Sequence, residues 1–361
     1  MELVAYNRQQ LNGLIESNFF KNLKNIPITT HRALSHIHNP DSADEDILLW
    51  AAYESDNLVG YVGALPEVFF FNHQPKKIYW LSCFWVDEAF RNKNVASSLF
   101  FLLVKQYRNN LVIANFIPSL EKTYQRLGIF QPTQIVYGHK FFLDFCLADI
   151  LSARFPKLTI LKSAWKLLDS CLSILASPRI LFYKKLQEGK YLFEENSYFD
   201  HEFQTLINSF SKNSCIRRSA AHFEWILAYP WVLEGEPDEE SKRYFFSSKA
   251  KRFEYNSVKI WEDKKLIGYF LLKIRNNALS ISYIYVPDNV IPAMAAYLFN
   301  IIKIKGLKTI LTFDRRLIEE IRKNRFRFIL ERTVRRLYIL PKGMNVDVAT
   351  FQEGDGDIIF T

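Results

Sequence analysis

Residues 84 to 99 read FWVDEAFRNKNVASSL. The first letters end an apolar and aromatic run, Ile78 to Val86, that is typical of a strand, and the last ones begin a helical pattern that continues to Tyr107. A polar loop with Arg91 and Lys93 lies between them. A helix start presents unpaired N–H groups and the positive end of its dipole, so it attracts anions. We therefore predict an anion site where this strand passes into this helix.

Two residues of the loop suit a close approach of its backbone to a phosphate. Asn94 is one of the few non-glycine residues that tolerate a left-handed backbone, which a tight turn before a helix requires. Ala96 is small, so it leaves space beside the first helical turn. These features favour a ligand that carries phosphate groups.

The elements around this segment follow a regular order. Upstream and downstream, the patterns predict a helix at Leu11–Asn22, a hairpin of Ile47–Tyr53 and Leu58–Leu65, a short strand at Val68–Phe71, a strand at Leu111–Phe116 and a helix at Leu120–Leu127, with Gly128 at its left-handed end. This order predicts mixed α and β layers, a mostly antiparallel central sheet flanked by helices, with a ligand-binding opening beside the crossover helix.

A second round of the same elements follows near residue 196. The patterns predict a helix at Phe199–Ser211, strands at Val258–Trp261, Leu266–Ile274 and Ile281–Val286, a helix at Ile291–Ile304 and a strand at Thr309–Phe313. The tetrapeptide Leu58-Val59-Gly60-Tyr61 also has a counterpart, Leu266-Ile267-Gly268-Tyr269, at the matching place. We interpret the chain as a tandem repeat of one domain.

The length supports two domains. The chain has 361 residues, of which 49% are hydrophobic and 16% aromatic, so two apolar cores can be filled. We expect an N-terminal domain at residues 1–150, a helical linker at 151–195 and a C-terminal domain at 196–361. Residues 158–182 within the linker form an amphipathic pattern, for which packing between the domains is favoured over docking on a membrane surface.

Composition limits the ligands and the compartment. The net charge of +9 suits a phosphate-bearing coenzyme, a nucleic acid or a membrane surface, and it equally suits a protein kept soluble by its charge. The four cysteines are scattered without metal-ligand spacing, so we expect neither a metal site nor a disulfide framework. The first residues lack a signal-peptide pattern, and we expect a cytoplasmic protein.

The segment after Ile78 resembles motif A of the GNAT superfamily of acyl-CoA N-acyltransferases. That motif is a strand ending in L-x-V, followed by R-x-x-G-x-G/A and a helix, and Asn94 stands here at the first glycine. The resemblance implies that the backbone of Phe84 and Val86 pairs with pantetheine across a splayed strand. It also implies that the coenzyme pyrophosphate is held by the loop and first helical turn, which comprise Arg91, Asn92, Lys93, Asn94, Val95, Ala96 and Ser97.

Residues 120 to 130 resemble motif B of the same superfamily, and Tyr124 stands where members often carry a general acid for the departing thiolate. The alternative is that Tyr124 is an ordinary aromatic residue on a helix surface. The stretch Tyr79–Cys83 contains no acid that could take the amine proton. We name Glu67 as the candidate base, with Asp87 and Glu88 as alternatives, although each has the character of a solvated loop charge.

The resemblance implies an acyl-CoA-dependent N-acyltransferase with acetyl-CoA as the expected co-substrate. The tandem layout is similar to that of two-domain GNAT proteins of bacterial surface-glycan genes, which suggests a small-molecule or glycan amine, such as an amino sugar or glycan precursor, as acceptor. Two alternatives stay open. One is a Fem-like transferase that takes its donor from aminoacyl-tRNA, for which the basic run at 322–327, with Arg332, Arg335 and Arg336, would suit RNA phosphates. The other is a degenerate scaffold without turnover.

Overall fold

The computed structural model describes residues 1–71, 74–145, 151, 155, 161–176, 190–323 and 328–360. The chain divides into two compact units. Unit 1 comprises residues 1–136, 198–253 and 336–361, and unit 2 comprises residues 137–197 and 254–335. Both units therefore draw on separated stretches of sequence, and each is described by itself.

The strands of the described residues are β1 (Glu2–Asn7), β2 (Ile47–Glu54), β3 (Asn57–Phe71), β4 (Gln74–Val86), β5 (Leu111–Ala114), β6 (Gln134–Phe142), β7 (Leu192–Glu195), β8 (Leu233–Glu234), β9 (Lys249–Ala250), β10 (Phe253–Glu262), β11 (Lys265–Arg275), β12 (Ala278–Tyr285), β13 (Thr309–Thr312) and β14 (Leu330–Ile339). The helices are α1 (Arg8–Glu16), α2 (Asn18–Asn22), α3 (Thr30–Ile37), α4 (Val95–Tyr107), α5 (Glu121–Arg126), α6 (Lys162–Ala176), α7 (His201–Ser211), α8 (Ala220–Ala228), α9 (Glu239–Arg243), α10 (Ile291–Lys305) and α11 (Arg315–Lys323).

The sheet of unit 1 begins as an antiparallel meander. Strands β1, β2, β3 and β4 pair in that order, each antiparallel to the next. Strand β5 then pairs with β4 in parallel after the crossover through α4, and the last residues of β14 pair antiparallel with β5. The predicted class is confirmed: mixed α and β layers with a mostly antiparallel sheet flanked by helices.

Two apolar cores cover the two faces of this sheet. On one face, Val95, Leu99 and Leu103 of α4 pack with residues of β2 to β5. On the other face, α1 to α3 pack with Leu49, Tyr61 and other residues of β2 and β3, and Tyr244 joins them from the middle of the chain. Helix α4 can approach closely because β3 carries Gly60, where a Cβ would lie 2.9 Å from the Val95 side chain.

The unit boundaries differ from the predicted domain boundaries. Residues 198–253 and 336–361, which were expected in a C-terminal domain at 196–361, belong to unit 1, and α6 of the expected linker belongs to unit 2. Buried polar contacts show why residues 198–253 group with the N-terminal stretch: the indole of Trp225 donates to the Ser35 carbonyl at 2.7 Å, and that of Trp231 donates to the Ser35 hydroxyl at 2.8 Å.

Unit 2 has its own antiparallel sheet and one apolar core. Strand β7 pairs with β10, β11 pairs with β12, β12 pairs in parallel with β13, and β13 pairs antiparallel with β6. Helix α10 fills the core between β12 and β13 with Met294, Leu298 and Phe299. The order of strand, strand, strand, helix and parallel strand repeats the order from β2 to β5. That unit 2 descends from the same domain stays a prediction.

Several elements differ from the sequence-based expectation, among them the predicted helix at Leu11–Asn22, which is divided at Ser17 into α1 and α2. Strand β1 and helix α3 were not predicted. The buried face of α3 includes Arg32, Ser35 and His36, so apolar periodicity does not reveal the helix. Strand β3 is continuous, although two strands separated at Pro66 were expected, because Pro66 keeps its place opposite Tyr79 in the ladder with β4.

Candidate active site

Strands β4 and β5 pair only briefly and then separate. Their parallel register joins Tyr79 with Leu111 and Trp80 with Val112, while β4 continues to Val86. Beyond Trp80, the edge of β4 that faces β5 has no strand partner in this register. Unpaired backbone groups at such an edge can accept an extended ligand in the manner of an added strand. This opening contains Phe84 and Val86, and it has the splayed form that the sequence analysis expected.

A bulge in β4 lies inside this opening. Tyr61 pairs with Trp85 and Gly63 pairs with Ser82, so Cys83 and Phe84 together stand opposite the single residue Val62. Cys83 has a φ of 48°, in the left-handed region that side chains rarely adopt. Bulges of this kind commonly lie beside active sites, where they redirect side chains and end regular pairing.

The loop after β4 leads into the start of α4. Asn92 and Asn94 have φ values of 67° and 60°, and Asn94 is the left-handed residue directly before the helix. Asn94 therefore adopts the left-handed backbone that it was predicted to tolerate. Its side chain does not cap the helix. Among the described residues, no group accepts a hydrogen bond from the N–H groups of Val95, Ala96 or Ser97.

The side chains around this helix start leave the site open and basic. Ala96 and Ser97 are exposed, whereas Val95 is buried under the sheet. Arg91 pairs with Glu88 at 2.8 Å on the surface, and Lys93 lies over the ring of Phe90 at 4.3 Å. A surface pair of this type contributes little stability, so Arg91 can exchange its partner for an anion. The residues present thus fit a pyrophosphate.

Tyr124 is not a surface aromatic residue, because its side chain is buried. It lies on α5 between Phe100 and Phe116, with ring centroids 5.3 and 5.5 Å away, and Phe100 in turn stacks on Phe84 of the opening at 6.4 Å. Its hydroxyl bonds to none of the described residues. Burial raises the pKa of Tyr124 to about 12, so the phenol keeps its proton at neutral pH.

Glu67 is buried in a charged network rather than exposed on a loop. Its carboxylate contacts the Arg218 guanidinium and accepts from the Trp80 indole. Asp355 lies 3.6 Å from the same guanidinium. Burial raises the pKa of Glu67 to about 7, against the effect of Arg218, which lowers it. That value would suit a general base, but both carboxylate oxygens are already engaged. The alternatives Asp87 and Glu88 lie at the 3-10 turn before the loop, where Asp87 caps Ala89.

The structure places a polar cluster at the bulge that the sequence did not predict. Arg32 on α3 donates to the thiol of Cys83, to the Tyr244 hydroxyl at 2.8 Å and to the Ser82 hydroxyl at 2.8 Å. Its guanidinium lies 3.8 Å from the ring centroid of Trp231. Ser82 in turn donates to Asp357 at 2.9 Å. No sequence signal links these residues, because they come from four distant stretches.

A cavity of about 10 Å³ lies beside this cluster, large enough for roughly one water molecule. Arg32, His36, Tyr61, Cys83 and Tyr244 contribute to its wall. Burial raises the pKa of the partly buried Cys83 thiol, even though the nearby Arg32 lowers it. Such a thiol lacks the lowered pKa that a nucleophilic cysteine requires.

The corresponding strand end of unit 2 has a different chemistry. After β12, the chain passes through Asp288 into α10, whose first turn contains a proline. Arg316 donates to the Val286 carbonyl and to Asp288, each at 2.8 Å. The strand end is therefore occupied by an internal ion pair, and its loop carries no basic residue. These features favour the prediction that this half binds no coenzyme.

Three of the basic residues proposed for tRNA binding are paired with carboxylates, whereas Arg332 and Arg335 of β14 are exposed. Arg322 contacts Glu331 at 2.5 Å, Lys323 contacts Glu320 at 2.8 Å, and Arg336 is buried against Glu353. Residues 324–327 lie outside the described residues. In the described stretches, no group of three potential ligand side chains could hold a metal ion, and no helix is long and apolar enough to cross a membrane.

Residues 16–128, less than half of the chain, match the sequence model of the Acetyltransferase (GNAT) family. The matched region contains β4, the bulge, the loop with Asn94, α4 and Tyr124. No curated protein sequence matches the chain.

Solved structures are similar over nearly the whole length. A conserved protein of unknown function from Enterococcus faecalis, a probable N-acyltransferase, has a TM-score of 0.54 at 9% identity and covers 93% of this chain and 72% of its own. GCN5-related N-acetyltransferases from Kribbella flavida and Anabaena variabilis each have a TM-score of 0.47 at 10% identity. Both cover 93% of this chain, and 70% and 72% of their own. The first of these likenesses shows a shared fold. Residues 16–128 are thus the part of the chain that is similar to the Acetyltransferase (GNAT) family.

Proposed function

We propose that the protein transfers an acyl group, in the expected case acetyl, from a coenzyme A thioester to an amine. The observation that carries this proposal is the opening between β4 and β5, which leads directly to unpaired N–H groups at the start of α4. An elongated ligand with a pyrophosphate at one end and an amide-containing arm at the other fits both features together.

Each end of the opening has a distinct task in this proposal. The N–H groups of Val95, Ala96 and Ser97 bind the pyrophosphate, assisted by the charges of Arg91 and Lys93, while Asn92 and Asn94 give the loop its shape. The backbone around Phe84 and Val86 orients the pantetheine arm. The coenzyme supplies an activated acyl group and a thiol leaving group.

Tyr124 is proposed to hold the proton that the departing sulfur receives. The phenol remains protonated at neutral pH because burial raises its pKa to about 12. Charge develops on the sulfur only as the thioester breaks, so proton donation then stabilises the transition state. The stack from Phe84 through Phe100 to Tyr124 supports this role, because it connects the hydroxyl-bearing residue to the opening.

The acceptor is proposed to be an amine on a ring, such as an amino sugar or a glycan precursor. Trp85, beside the bulge, packs against Phe245 at a centroid distance of 5.8 Å, and Phe245 is 67% exposed. Exposed aromatic faces next to a polar site are typical of pockets that bind ring-shaped ligands. Glu67, the candidate proton acceptor of the sequence analysis, already contacts Arg218 and Trp80, so another carboxylate is considered for this role below.

The proposal is tested by calorimetric titration with acetyl-CoA. We compare the intact protein with an Arg91→Glu, Asn94→Trp double variant, which reverses one charge and fills the space at the helix start. We expect micromolar binding by the intact protein and at least about a tenfold weaker affinity in the variant. The matched control is Arg315→Glu, a charge reversal at an exposed pair with Glu319 in unit 2. Absence of binding by the intact protein would refute the proposal.

Transfer is then measured as release of free coenzyme A with D-glucosamine, lysine and spermidine as acceptors. Coenzyme binding without any transfer would identify the scaffold alternative. Salt-dependent binding of tRNA, together with no binding of acetyl-CoA, would identify the Fem-like alternative.

A further inference from the structure

The polar cluster at the bulge contains a carboxylate, Asp357, that is not fully buried. We infer that Asp357, from the C-terminal stretch of unit 1, is the general base that takes the proton of the attacking amine. The inference rests on the proposed transfer and adds a catalytic residue that the GNAT motifs of this sequence do not include.

The position of Asp357 follows from its contact with Ser82. The Ser82 hydroxyl donates to Oδ2 of Asp357 at 2.9 Å and accepts from Arg32 at 2.8 Å. Ser82 directly precedes the bulge at Cys83 and lies two residues beyond Trp80, the last residue of β4 that pairs with β5. The carboxylate therefore lies where the strands separate, which is where the proposed thioester would meet the acceptor.

Asp357 is more exposed than Glu67, the candidate base of the sequence analysis. It is half-buried, whereas Glu67 is 2% exposed. Ser82 provides the one side-chain hydrogen bond to Asp357 in the described residues, and Arg32 lies near enough to influence it without a direct ion pair. Glu67 also lies four residues along β3 from Gly63, the partner of Ser82, which is about 13 Å of extended strand.

The electrostatic surroundings suit a base. Burial raises the pKa of Asp357 above its ordinary value, while Arg32 and the Ser82 hydrogen bond lower it. The ionisable groups that face it are Arg32 on α3, Cys83 on β4 and Arg336 on β14, and Tyr244 reaches the same guanidinium. Once ionised, a carboxylate with a raised pKa accepts a proton more readily than a solvated one.

The proton balance of the step is simple. As the amine nitrogen forms a bond to the thioester carbonyl carbon, its N–H proton passes to Asp357. The bond between that carbon and the sulfur then breaks, and the sulfur receives the proton of Tyr124. Both residues recover their starting state by exchange with water after the products leave.

The inference is tested with the full chain, acetyl-CoA and D-glucosamine. We compare Asp357→Asn and Asp357→Glu with Asp347→Asn, which removes the same charge from an exposed residue of the same C-terminal stretch. We expect Asp357→Asn to lower kcat about 100-fold with acetyl-CoA affinity within twofold of wild type. Asp357→Glu should recover part of the loss, and Asp347→Asn should retain full activity.

The pH profile separates a base from a structural residue. In the wild type, kcat/KM should fall as the pH falls through the pKa of Asp357, because the protonated carboxyl cannot accept a proton. The Asp357→Asn variant should lack this limb, and the Asp357→Glu variant should show it at a shifted pH. If Asp357→Asn does not fold, the shifted limb of Asp357→Glu still decides the question.

The outcomes distinguish the two proposals. An Asp357→Asn variant that transfers acetyl at the wild-type rate overturns the role of Asp357 and leaves the proposed function intact. A wild-type protein that binds no acetyl-CoA refutes the proposed function itself. A wild-type protein that binds acetyl-CoA but transfers to no amine contradicts both, because no amine proton is then released.

Discussion

At the scale of single residues, burial decides the chemistry that Tyr124 can perform. Its ring packs between Phe100 and Phe116, and no charged group lies near enough to alter its pKa, so loss of solvation alone raises that pKa to about 12. A phenol in this state keeps its proton while the bound thioester is intact. Negative charge that develops on the sulfur in the transition state then attracts the hydroxyl proton, which a bound thioester does not.

Replacement of Tyr124 by phenylalanine removes the proton and keeps the packing. We expect Tyr124→Phe to lower kcat about 100-fold while the acetyl-CoA affinity and the thermal midpoint stay near wild type. Steady-state kinetics and calorimetry measure the two effects. Tyr137→Phe, at an exposed tyrosine of β6, is the matched control. A Tyr124→Phe variant with unchanged kcat would leave Tyr124 with a packing role only.

At the scale of elements, the start of α4 combines a left-handed residue with free N–H groups. Asn94 holds a φ of 60° without capping the helix through its side chain. A left-handed backbone costs a residue with a Cβ roughly 1–2 kcal/mol, and asparagine and glycine adopt it more readily than alanine. The proposed anion site at the start of α4 therefore lowers stability, and the size of this cost depends on Asn94.

The cost of the left-handed backbone predicts which of two variants at position 94 is the more stable. We expect Asn94→Ala to lower the free energy of unfolding by about 1 kcal/mol and Asn94→Gly to leave it nearly unchanged. We also expect Asn94→Gly to bind acetyl-CoA at least as tightly as wild type, because it removes a side chain beside the pyrophosphate. Urea denaturation and calorimetry measure these effects, with Asn109→Ala, at an exposed asparagine whose backbone is not left-handed, as control. Equal stability of the alanine and glycine variants would contradict the prediction.

The elements also show what the sequence could and could not predict. The strand, loop and helix from Ile78 to Tyr107 were predicted because the apolar residues change from the pattern of a strand to the spacing of a helix, with a polar loop between them. Helix α3 was missed because it buries Arg32, Ser35 and His36. The burial of these polar groups depends on partners such as Cys83 and Trp231, which are far away in sequence. The residues proposed to bind the coenzyme are thus close together in sequence, whereas those near the proposed acceptor come from distant stretches that the fold brings together.

At the scale of the whole molecule, unit 1 is assembled from three stretches of the chain. Residues 198–253 supply Arg218, Trp231 and Tyr244, and residues 336–361 supply Asp357 and the strand partner of β5. The predicted domain at residues 1–150 follows sequence continuity, and periodicity contains no information about which later stretch returns to a sheet. Removal of the later stretches would take Tyr244 from Arg32 and Arg218 from Glu67, and a buried charge that loses a partner is costly.

This arrangement predicts that residues 1–150 do not fold as an independent domain. The fragment would expose the apolar groups around Tyr61 and Trp80, and β5 would lose its partner in β14. We therefore expect the isolated fragment to lack a cooperative thermal transition and to bind no acetyl-CoA, while the full chain under the same conditions does both. Near-ultraviolet circular dichroism and calorimetry provide the comparison. A fragment that unfolds cooperatively and binds acetyl-CoA would show that residues 1–150 form a domain without residues 198–253 and 336–361. That result would also argue against Asp357 as part of the catalytic core, because the core would then form without it.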